Sequence, residues 1–232
     1  MHTSAVSSRR RRSTSSKRAA FRSAEGLAPE ILARALTAFR YDRSMVSPAP
    51  RYVTYEEFLE AEQRSETKHE WLDGVVYDMA GGTVEHSRLA GNIHVALKNA
   101  LGHCEVLQAD LMLFIRAAQL STYADVTVVC GPLDIQKVER NGRILGEALV
   151  NPTVIVEVLS DSTEDYDRGE KFLHYTKFPS LKEYVLISQD PPRIEVRRRP
   201  ERGHWEHVVA RAGETIIIGG ATISVDDVYR RA

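Results

Sequence analysis

The sequence predicts a mixed fold of the α/β or α+β class, in which helices are interspersed among strands. Short apolar runs typical of strands alternate with amphipathic stretches typical of helices, and no segment recurs at a fixed period. Elements of both kinds, in this order, pack as a sheet with helices against it. The 232 residues are enough for one such domain with its own core.

The first half of the chain predicts a helix, a hairpin and a longer helix. Thr54 followed by Glu57 is a capping box, which opens a helix through about Gln63. The Asp73-Gly74 pair between two apolar runs predicts a β-hairpin over 69–79. Apolar residues spaced by four predict one stripe of a helix over roughly 86–101. They are Leu89, Ile93, Leu97 and Leu101.

The second half is dominated by strands. Apolar runs predict strands over 106–115, 123–129 and 153–159, with a turn-rich polar stretch near 139–147. A polar helix over roughly 165–178 follows. Further short strands are predicted at 183–187, 193–198, 205–210 and 214–218, before a terminal turn or helix near 225–230.

Residues 1–44 differ in composition from the rest of the chain. Ser, Arg and Ala dominate the first 26 residues, four arginines stand in a row at 9–12, and no acidic residue precedes Glu25. Such a segment buries too little apolar surface to offset the entropy of ordering it, so we predict disorder. Three interpretations are open: a nucleic-acid-binding arm, an organellar transit peptide, or translation that begins at Met45. The predicted folded domain covers residues 45–232.

The formal net charge of −1 conceals two oppositely charged parts. Residues 1–43 contain ten Lys/Arg and three Asp/Glu, whereas residues 44–232 contain the other 21 basic and 29 acidic residues, a net charge of −8. An acidic body counts against a broad electrostatic contact with nucleic acid, although carboxylates that await a cation contribute to this charge. No run approaches the roughly 18 consecutive apolar residues of a membrane span.

Cysteine occurs twice, at Cys104 and Cys130, each time in apolar, strand-like surroundings. This usage is typical of buried free thiols rather than of a disulfide framework. We therefore expect a reduced compartment and a cytoplasmic protein. The spacing of Cys and His matches no zinc motif, and the chain has neither a glycine-rich phosphate loop nor a Gly-x-Ser-x-Gly nucleophile motif.

Two acidic residues stand inside apolar runs. Asp125 lies in Tyr-Ala-Asp-Val-Thr-Val-Val and Glu157 lies in Thr-Val-Ile-Val-Glu-Val-Leu. Ionised carboxylates are rarely buried without a partner. Alternate residues of a strand share a face, so we expect Asp125 to share one with Tyr123 and Thr127. On neighbouring strands the two carboxylates would meet at one cation, and hard cations such as Mg²⁺ prefer oxygen ligands.

For two further polar residues, Lys171 and His86, the sequence allows an ordinary structural role. Lys171 follows Asp167 by four residues on the predicted helix, which is the spacing of a surface ion pair worth about 0.3–0.5 kcal/mol. His86 stands near the start of a predicted helix. It would contact a phosphate or metal there, or satisfy the free amides of the helix end.

Several short motifs, in their order along the chain, resemble those of the Uma-type family of predicted restriction endonucleases, within the PD-(D/E)XK nuclease superfamily. The likeness covers about residues 51–230. It implies a restriction-endonuclease-like fold, with a mixed central sheet flanked by helices. The motifs are the Asp-Gly hairpin, a Glu-His helix start, an x-Asp-Val strand, Val-Glu-Val-Leu-Ser, Ser-Thr-x-x-Tyr-Asp-x-x-x-Lys and Glu-Tyr-x-Leu-Ile.

This resemblance assigns roles to four residues. Asp125 and Glu157 match the metal-binding acids of two core strands, and Glu70 matches an additional Glu near the metal, so it implies that all three are ligands of Mg²⁺ or Mn²⁺. The superfamily pattern would place Lys at position 159, where this chain has Leu159. Lys171 resembles the family's compensating lysine on the following helix.

The resemblance implies metal-dependent hydrolysis of phosphodiester bonds in DNA, with Asp125, Glu157, Lys171 and Glu70 as the catalytic residues. A homodimer is expected by analogy, because two sites related by a two-fold axis can cut both strands. The alternative is a catalytically silent protein that keeps the fold for binding or regulation. The presence of all four residues favours the enzyme, whereas the acidic body and the lack of a recognisable target-recognition segment favour the silent protein.

Overall fold

The computed structural model describes residues 52–79, 81–201 and 204–231. The predictions for residues 1–44 lie outside these ranges. In the described residues, helices α1 to α5 span Tyr55–Glu62, Val84–Ala100, Glu164–Arg168, Glu170–Tyr175 and Val225–Tyr229, and a short 3-10 helix spans Arg116–Ala118. No helix in these ranges is both long and apolar enough to cross a membrane.

Within the described ranges, the strands form two six-stranded sheets and a separate hairpin. The first sheet has the order β2-β1-β5-β4-β8-β7, the second has the order β12-β11-β10-β9-β6-β3, and β13 pairs with β14. In chain order the strands are β1 His69–Leu72, β2 Val75–Asp78, β3 Glu105–Gln108, β4 Met112–Ile115, β5 Leu120–Tyr123, β6 Val126–Val129, β7 Ile135–Arg140, β8 Arg143–Leu149, β9 Val154–Val158, β10 Glu183–Ser188, β11 Arg193–Arg198, β12 Glu206–Arg211, β13 Thr215–Ile218 and β14 Ala221–Ser224.

Both large sheets are mixed, which confirms the predicted α/β class. The second sheet is antiparallel except where β9 and β10 run parallel, with Glu157 opposite Leu186. The first sheet is antiparallel except for a short parallel pairing of β4 with β8. Strands that are not consecutive in the chain are therefore neighbours in the sheets, and β9 lies in the interior of its sheet.

Local sequence signals correctly predicted the first helix, the first hairpin and the long helix α2. The capping box is present: the Glu57 amide donates to Thr54 Oγ1 at 3.2 Å, and the Thr54 amide donates to Glu57 Oε2 at 2.9 Å. Asp73 and Gly74 form the hairpin turn with φ values of 44° and 89°. The apolar stripe of α2 is also confirmed, since Leu89, Ile93, Leu97 and Leu101 are all at most 1% exposed and pack on the second sheet.

Two predicted strands are wrong, because each apolar run contains two strands that belong to different sheets. The run 106–115 divides into β3 and β4 at a turn that Lys68 fastens, by donating to the carbonyl of Ala109 at 2.9 Å. The run 123–129 divides into β5 and β6 at Ala124 and Asp125. Apolar continuity was mistaken for a single strand in both cases.

Three smaller differences also have local causes. The polar stretch near 139–147 lies within the hairpin of β7 and β8, whose turn residues Asn141 and Gly142 both have positive φ. The helix predicted over roughly 165–178 is two short helices that meet at Gly169. Strand β14 was not predicted, whereas the terminal helix was.

The expectation of two buried free thiols is wrong. Cys104 and Cys130 form a disulfide, and Cys130 is exposed. Strands β3 and β6 pair antiparallel with Glu105 opposite Val129, so the next residues outward, the two cysteines, face each other. Sequence separation concealed this proximity, which depends on strand register.

We expect Ile93→Ala to lower the free energy of unfolding by about 2–5 kcal/mol, because it leaves a cavity where α2 packs on the second sheet. Val95→Ala is the matched control on the same helix, since Val95 is 56% exposed and its loss should change stability by less than about 0.5 kcal/mol. Chemical denaturation measures both. Equal losses would contradict the packing described for α2.

Candidate active site

An open cleft of about 1370 Å³ lies where β9 ends and α3 and α4 fold back beside it. The chain leaves β9 through a turn in which the Glu164 amide donates to the Ser160 carbonyl at 2.9 Å. Tyr184 of β10 then holds α3, because its hydroxyl donates to the Asp167 carbonyl at 2.9 Å. This local path brings residues of α3 and α4 over the end of β9.

All four residues that the sequence singled out line this cleft: Glu70, Asp125, Glu157 and Lys171. They come from β1, from the junction of β5 and β6, from β9 and from α4. Both large sheets therefore contribute to the cleft.

Lys171 and Glu157 are in direct contact at its floor, and they form a buried ion pair when Glu157 is ionised. Lys171 Nζ lies 2.9 Å from Glu157 Oε1 and 3.5 Å from Asp167 Oδ1. The Tyr175 hydroxyl also donates to Glu157 Oε1, at 2.8 Å. Lys171, Glu157 and Asp167 are at most 5% exposed. The interpretation of Asp167 and Lys171 as a surface pair is wrong, because both side chains are buried, on α3 and α4, beside Glu157 of β9.

The side chains of Glu157, Asp167 and Lys171 all have shifted pKa values. Burial raises the pKa of Glu157 to about 8, against the opposing effect of the Lys171 ammonium. Burial also raises the pKa of Asp167. For Lys171 burial acts downward, but the carboxylates of Glu157 and Asp167 outweigh it and raise its pKa. The lysine therefore keeps its proton and is a buried positive charge.

Asp125 lies beside the end of β9, but it is not positioned by a strand face as the sequence predicted. It lies between two strands, so it does not share a strand face with Tyr123 and Thr127. Instead, the amide of Val158 donates to Asp125 Oδ2 at 2.7 Å. This bond ties Asp125 to the residue that follows Glu157.

His86 also contacts Asp125. Its Nε2 lies 3.2 Å from Asp125 Oδ2, and the hydrogen bond raises the pKa of the imidazole. The side chain of Thr83 accepts from the His86 amide and caps the helix. His86 therefore does not fill the capping role, and its ring lies on the wall of the cleft.

Glu70 is buried, and both of its carboxylate oxygens accept hydrogen bonds. Thr122 donates to Oε2 at 2.6 Å, and the Tyr166 hydroxyl donates to Oε1 at 2.5 Å. Burial and the adjacent carboxylate raise the pKa of Tyr166, which keeps its proton on the phenol. Sequence reasoning missed the contacts of Tyr166 and Tyr175, although Tyr166 stands in the Ser-Thr-x-x-Tyr-Asp motif.

The donor chemistry at Asp125 and Glu157 fits a hard divalent cation. Both supply carboxylate oxygens at the same end of the second sheet, and burial, together with the nearby charges of Asp167 and Asp125, raises the pKa of Glu157. Glu70 fits less directly, since its oxygens are engaged. Among the described residues these three acids do not have ligand atoms all within 4.8 Å of one another.

Leu159 occupies the position at which the superfamily pattern places lysine. It is 3% exposed and belongs to an apolar cluster with Ile155 and Tyr175. The ammonium group of the cleft floor comes from Lys171 on α4.

The model of the Uma2 family, described as "Putative restriction endonuclease", matches residues 55–225. This chain belongs to the Uma2 family. Two relatives come from Synechocystis sp. and have the names uncharacterized protein slr1290 and uncharacterized protein sll1609. The first is 35% identical over 79% of this chain and 94% of its own, and the second is 31% identical over 69% and 89%.

A solved structure shows the same fold. It is the crystal structure of a "putative nuclease belonging to DUF820" from Anabaena variabilis, with a TM-score of 0.59 and 20% sequence identity. The match covers 76% of this Uma2 chain and 97% of that chain. The restriction-endonuclease-like fold is thereby confirmed, and family and fold together support a nuclease function.

The buried Glu157 should make stability depend on pH. Its folded pKa of about 8 lies above the ordinary value of 4.5, so the stability linked to its proton is complete below pH 4.5 and is lost as the pH rises toward 8. We expect the free energy of unfolding of the metal-free protein to fall relative to Glu157→Gln over this interval, by up to about 1.4 kcal/mol per pH unit.

Denaturation at a series of pH values, with a chelator present, measures this difference. Glu147→Gln is the control, because Glu147 is 48% exposed and pairs with Lys137 at the surface. A constant difference between wild type and Glu157→Gln from pH 5 to pH 8 would show that burial does not hold the proton on Glu157.

Proposed function

We propose that this Uma2 protein is a metal-dependent endonuclease that hydrolyses phosphodiester bonds in DNA. The observation that supports this most directly is the buried contact between Lys171 and Glu157, which lines an open cleft beside Asp125. A purely structural protein gains little from such a group, since replacing a buried ion pair by apolar side chains is often neutral or stabilising. Metal-dependent hydrolysis of a phosphodiester uses carboxylates to hold the ion and fixed positive charge to stabilise the transition state.

Asp125 and Glu157 are the proposed ligands of Mg²⁺, with Mn²⁺ as an alternative. Tyr175 and Lys171 engage Oε1 of Glu157, so Oε2 is the oxygen we assign to the ion. Val158 and His86 orient Asp125 through its Oδ2. When bound, the ion would supply an activated water and neutralise charge on the phosphoryl group.

Glu70 is an auxiliary ligand or orienting group in this proposal. Its present partners, Thr122 and Tyr166, hold the carboxylate in place at the wall of the cleft. Tyr166 comes from α3, so Glu70 also links the first sheet to the helices that close the cleft.

Lys171 positions the attacking water or stabilises charge on the phosphate. Its ammonium is held by two carboxylates on α3 and β9, so little reorganisation is needed during the reaction. Because the group is buried, solvent screens its charge less than it would at the surface. Arg193, 34% exposed at the cleft and held by Glu195 at 3.1 Å, offers a further cation to a phosphate.

A homodimer that cuts both strands and a cytoplasmic location complete this proposal.

The second candidate is a catalytically silent binding protein. It is favoured by the way Glu70 and Glu157 bond to neighbouring protein groups, which would satisfy these acids without a metal. Metal binding and turnover distinguish the two candidates.

We expect Mg²⁺ or Mn²⁺ to bind the wild-type protein and to raise its melting temperature by mass action, because the ion relieves repulsion between Asp125 and Glu157. The double variant Asp125→Ala, Glu157→Ala should lose this binding. Asp110→Ala is the control, since Asp110 is exposed and bonds to Lys68 outside the cleft. Titration calorimetry decides, and unchanged affinity in the double variant would exclude this metal site.

We expect Lys171→Met to lower the single-turnover cleavage rate of DNA at least tenfold at saturating metal, a barrier change of about 1.4 kcal/mol. Metal affinity should change little, because the ammonium is not a ligand. Lys137→Met removes an exposed lysine that pairs with Glu147 and serves as the matched control. A Lys171→Met rate within about threefold of wild type would leave the lysine without a catalytic role.

A wild-type protein that binds metal but cleaves neither DNA nor RNA would favour the silent candidate. Cleavage of RNA alone would keep the catalytic assignment and change the substrate. The substrates are single-stranded and double-stranded forms of each nucleic acid, with Asp125→Ala as the inactive control.

A further inference from the structure

The imidazole of His103 lies beside the Cys104–Cys130 disulfide, at a place remote from the cleft. The ligand atoms of His103, Cys104 and Cys130 all lie within 4.8 Å of one another. In the described ranges, no other group of three His, Cys, Asp or Glu side chains comes this close. This sulfur-containing cluster shares no residue with the proposed nuclease site.

Strand register creates the cluster. β3 and β6 pair with Glu105 opposite Val129, which places the Cα atoms of Cys104 and Cys130 4.3 Å apart at the end of that pairing. The backbone holds both positions: the Cys104 amide donates to the Leu101 carbonyl at 2.9 Å, and the Cys130 amide donates to Thr153 Oγ1 at 3.1 Å. Neither contact involves a sulfur atom.

The cluster lies at the opposite end of the second sheet from the cleft. Cys130 is held by Thr153, which precedes β9, whereas Glu157 is four residues further along that strand. At the rise of a β-strand this separation is about 13 Å. An ion at the cluster would therefore be distinct from an ion held by Asp125 and Glu157.

His103 is available as a ligand. Its side chain is exposed, and it has no hydrogen bond or ion pair with any described residue. Cys130 is also exposed, so the cluster opens to solvent. Cys104 is 7% exposed and anchors the cluster from inside.

We propose that the reduced protein binds Zn²⁺ through the two thiolates and the His103 imidazole, with water as the fourth ligand. Thiolate and imidazole are the ligands that zinc prefers, in contrast to the oxygen ligands of the cleft. The Cys104–Cys130 disulfide is then the oxidised, metal-free form of the same site.

The two forms interconvert by thiol–disulfide exchange with a low-molecular-weight disulfide, RSSR. The thiolates of Cys104 and Cys130 together give up two electrons and form their S–S bond, while RSSR accepts the two electrons and leaves as two RS⁻. The zinc ion is released, because the disulfide sulfurs no longer carry the negative charge that binds it.

The test uses full-length protein that has been reduced, freed of reductant without oxygen and shown to contain two titratable thiols. It is titrated with Co²⁺, which reports thiolate ligation by a charge-transfer absorption in the near ultraviolet. Wild type should gain this absorption, and Zn²⁺ should abolish it. Cys130→Ser should lose it, and His103→Ala should bind Co²⁺ at least tenfold more weakly.

Two controls locate the ion. Asp125→Ala should keep the full absorption, because the cleft is a separate site, and His204→Ala, which removes another exposed histidine, should behave as wild type. Absence of the absorption in reduced wild type, or equal absorption in Cys130→Ser, would overturn the proposal. Failure of the folded protein to yield two thiols after reduction would also overturn it, because the metal-binding form would then be inaccessible.

Discussion

The arrangement of the cleft depends on one buried ammonium group, that of Lys171 between Glu157 and Asp167. Each of the three groups is expensive to bury alone, and removal of one partner from such a set typically costs about 3–5 kcal/mol. The set also joins α3 and α4 to β9, so the helices that close the cleft are fastened to the strand that carries the acid. Stability and site geometry therefore rest on the same contacts.

The surrounding hydrogen bonds extend this constraint to both large sheets. Val158 donates to Asp125, which ties the junction of β5 and β6 to the end of β9. Tyr166 donates to Glu70, which ties α3 to the first sheet. The acids of the cleft are thus held by neighbours whose own positions are determined by packing, which is the preorganisation that an electrostatic catalyst requires.

The sequence was most informative where the signal was local. The capping box at Thr54, the Asp73-Gly74 turn and the stripe of α2 each depend on a few consecutive residues, and all three were predicted correctly. Breaks inside apolar runs were missed at Ala109 and Ala124, because only pairing with distant strands shows where one sheet ends and another begins. The disulfide was missed for the same reason, since it depends on the register of β3 with β6.

The candidate site shows the same division. Asp125 was identified by its unusual surroundings, yet the expected strand face does not exist, and a backbone amide from β9 holds it instead. Helical spacing predicted the contact of Lys171 with Asp167 but not its burial, nor the shorter contact with Glu157, 14 residues earlier in the chain. Resemblance to the family supplied the role that we propose for Lys171, which spacing alone could not.

The central claim is that Asp125 and Glu157, the acid that Lys171 contacts, together hold a catalytic metal. Crystals of the protein soaked in Mn²⁺ test it most directly, by anomalous scattering. We predict an anomalous peak within coordination distance, about 2.0–2.5 Å, of carboxylate oxygens from both Asp125 and Glu157. Full occupancy by Mn²⁺ at an exposed acid such as Asp161, with no peak between Asp125 and Glu157, would contradict the account.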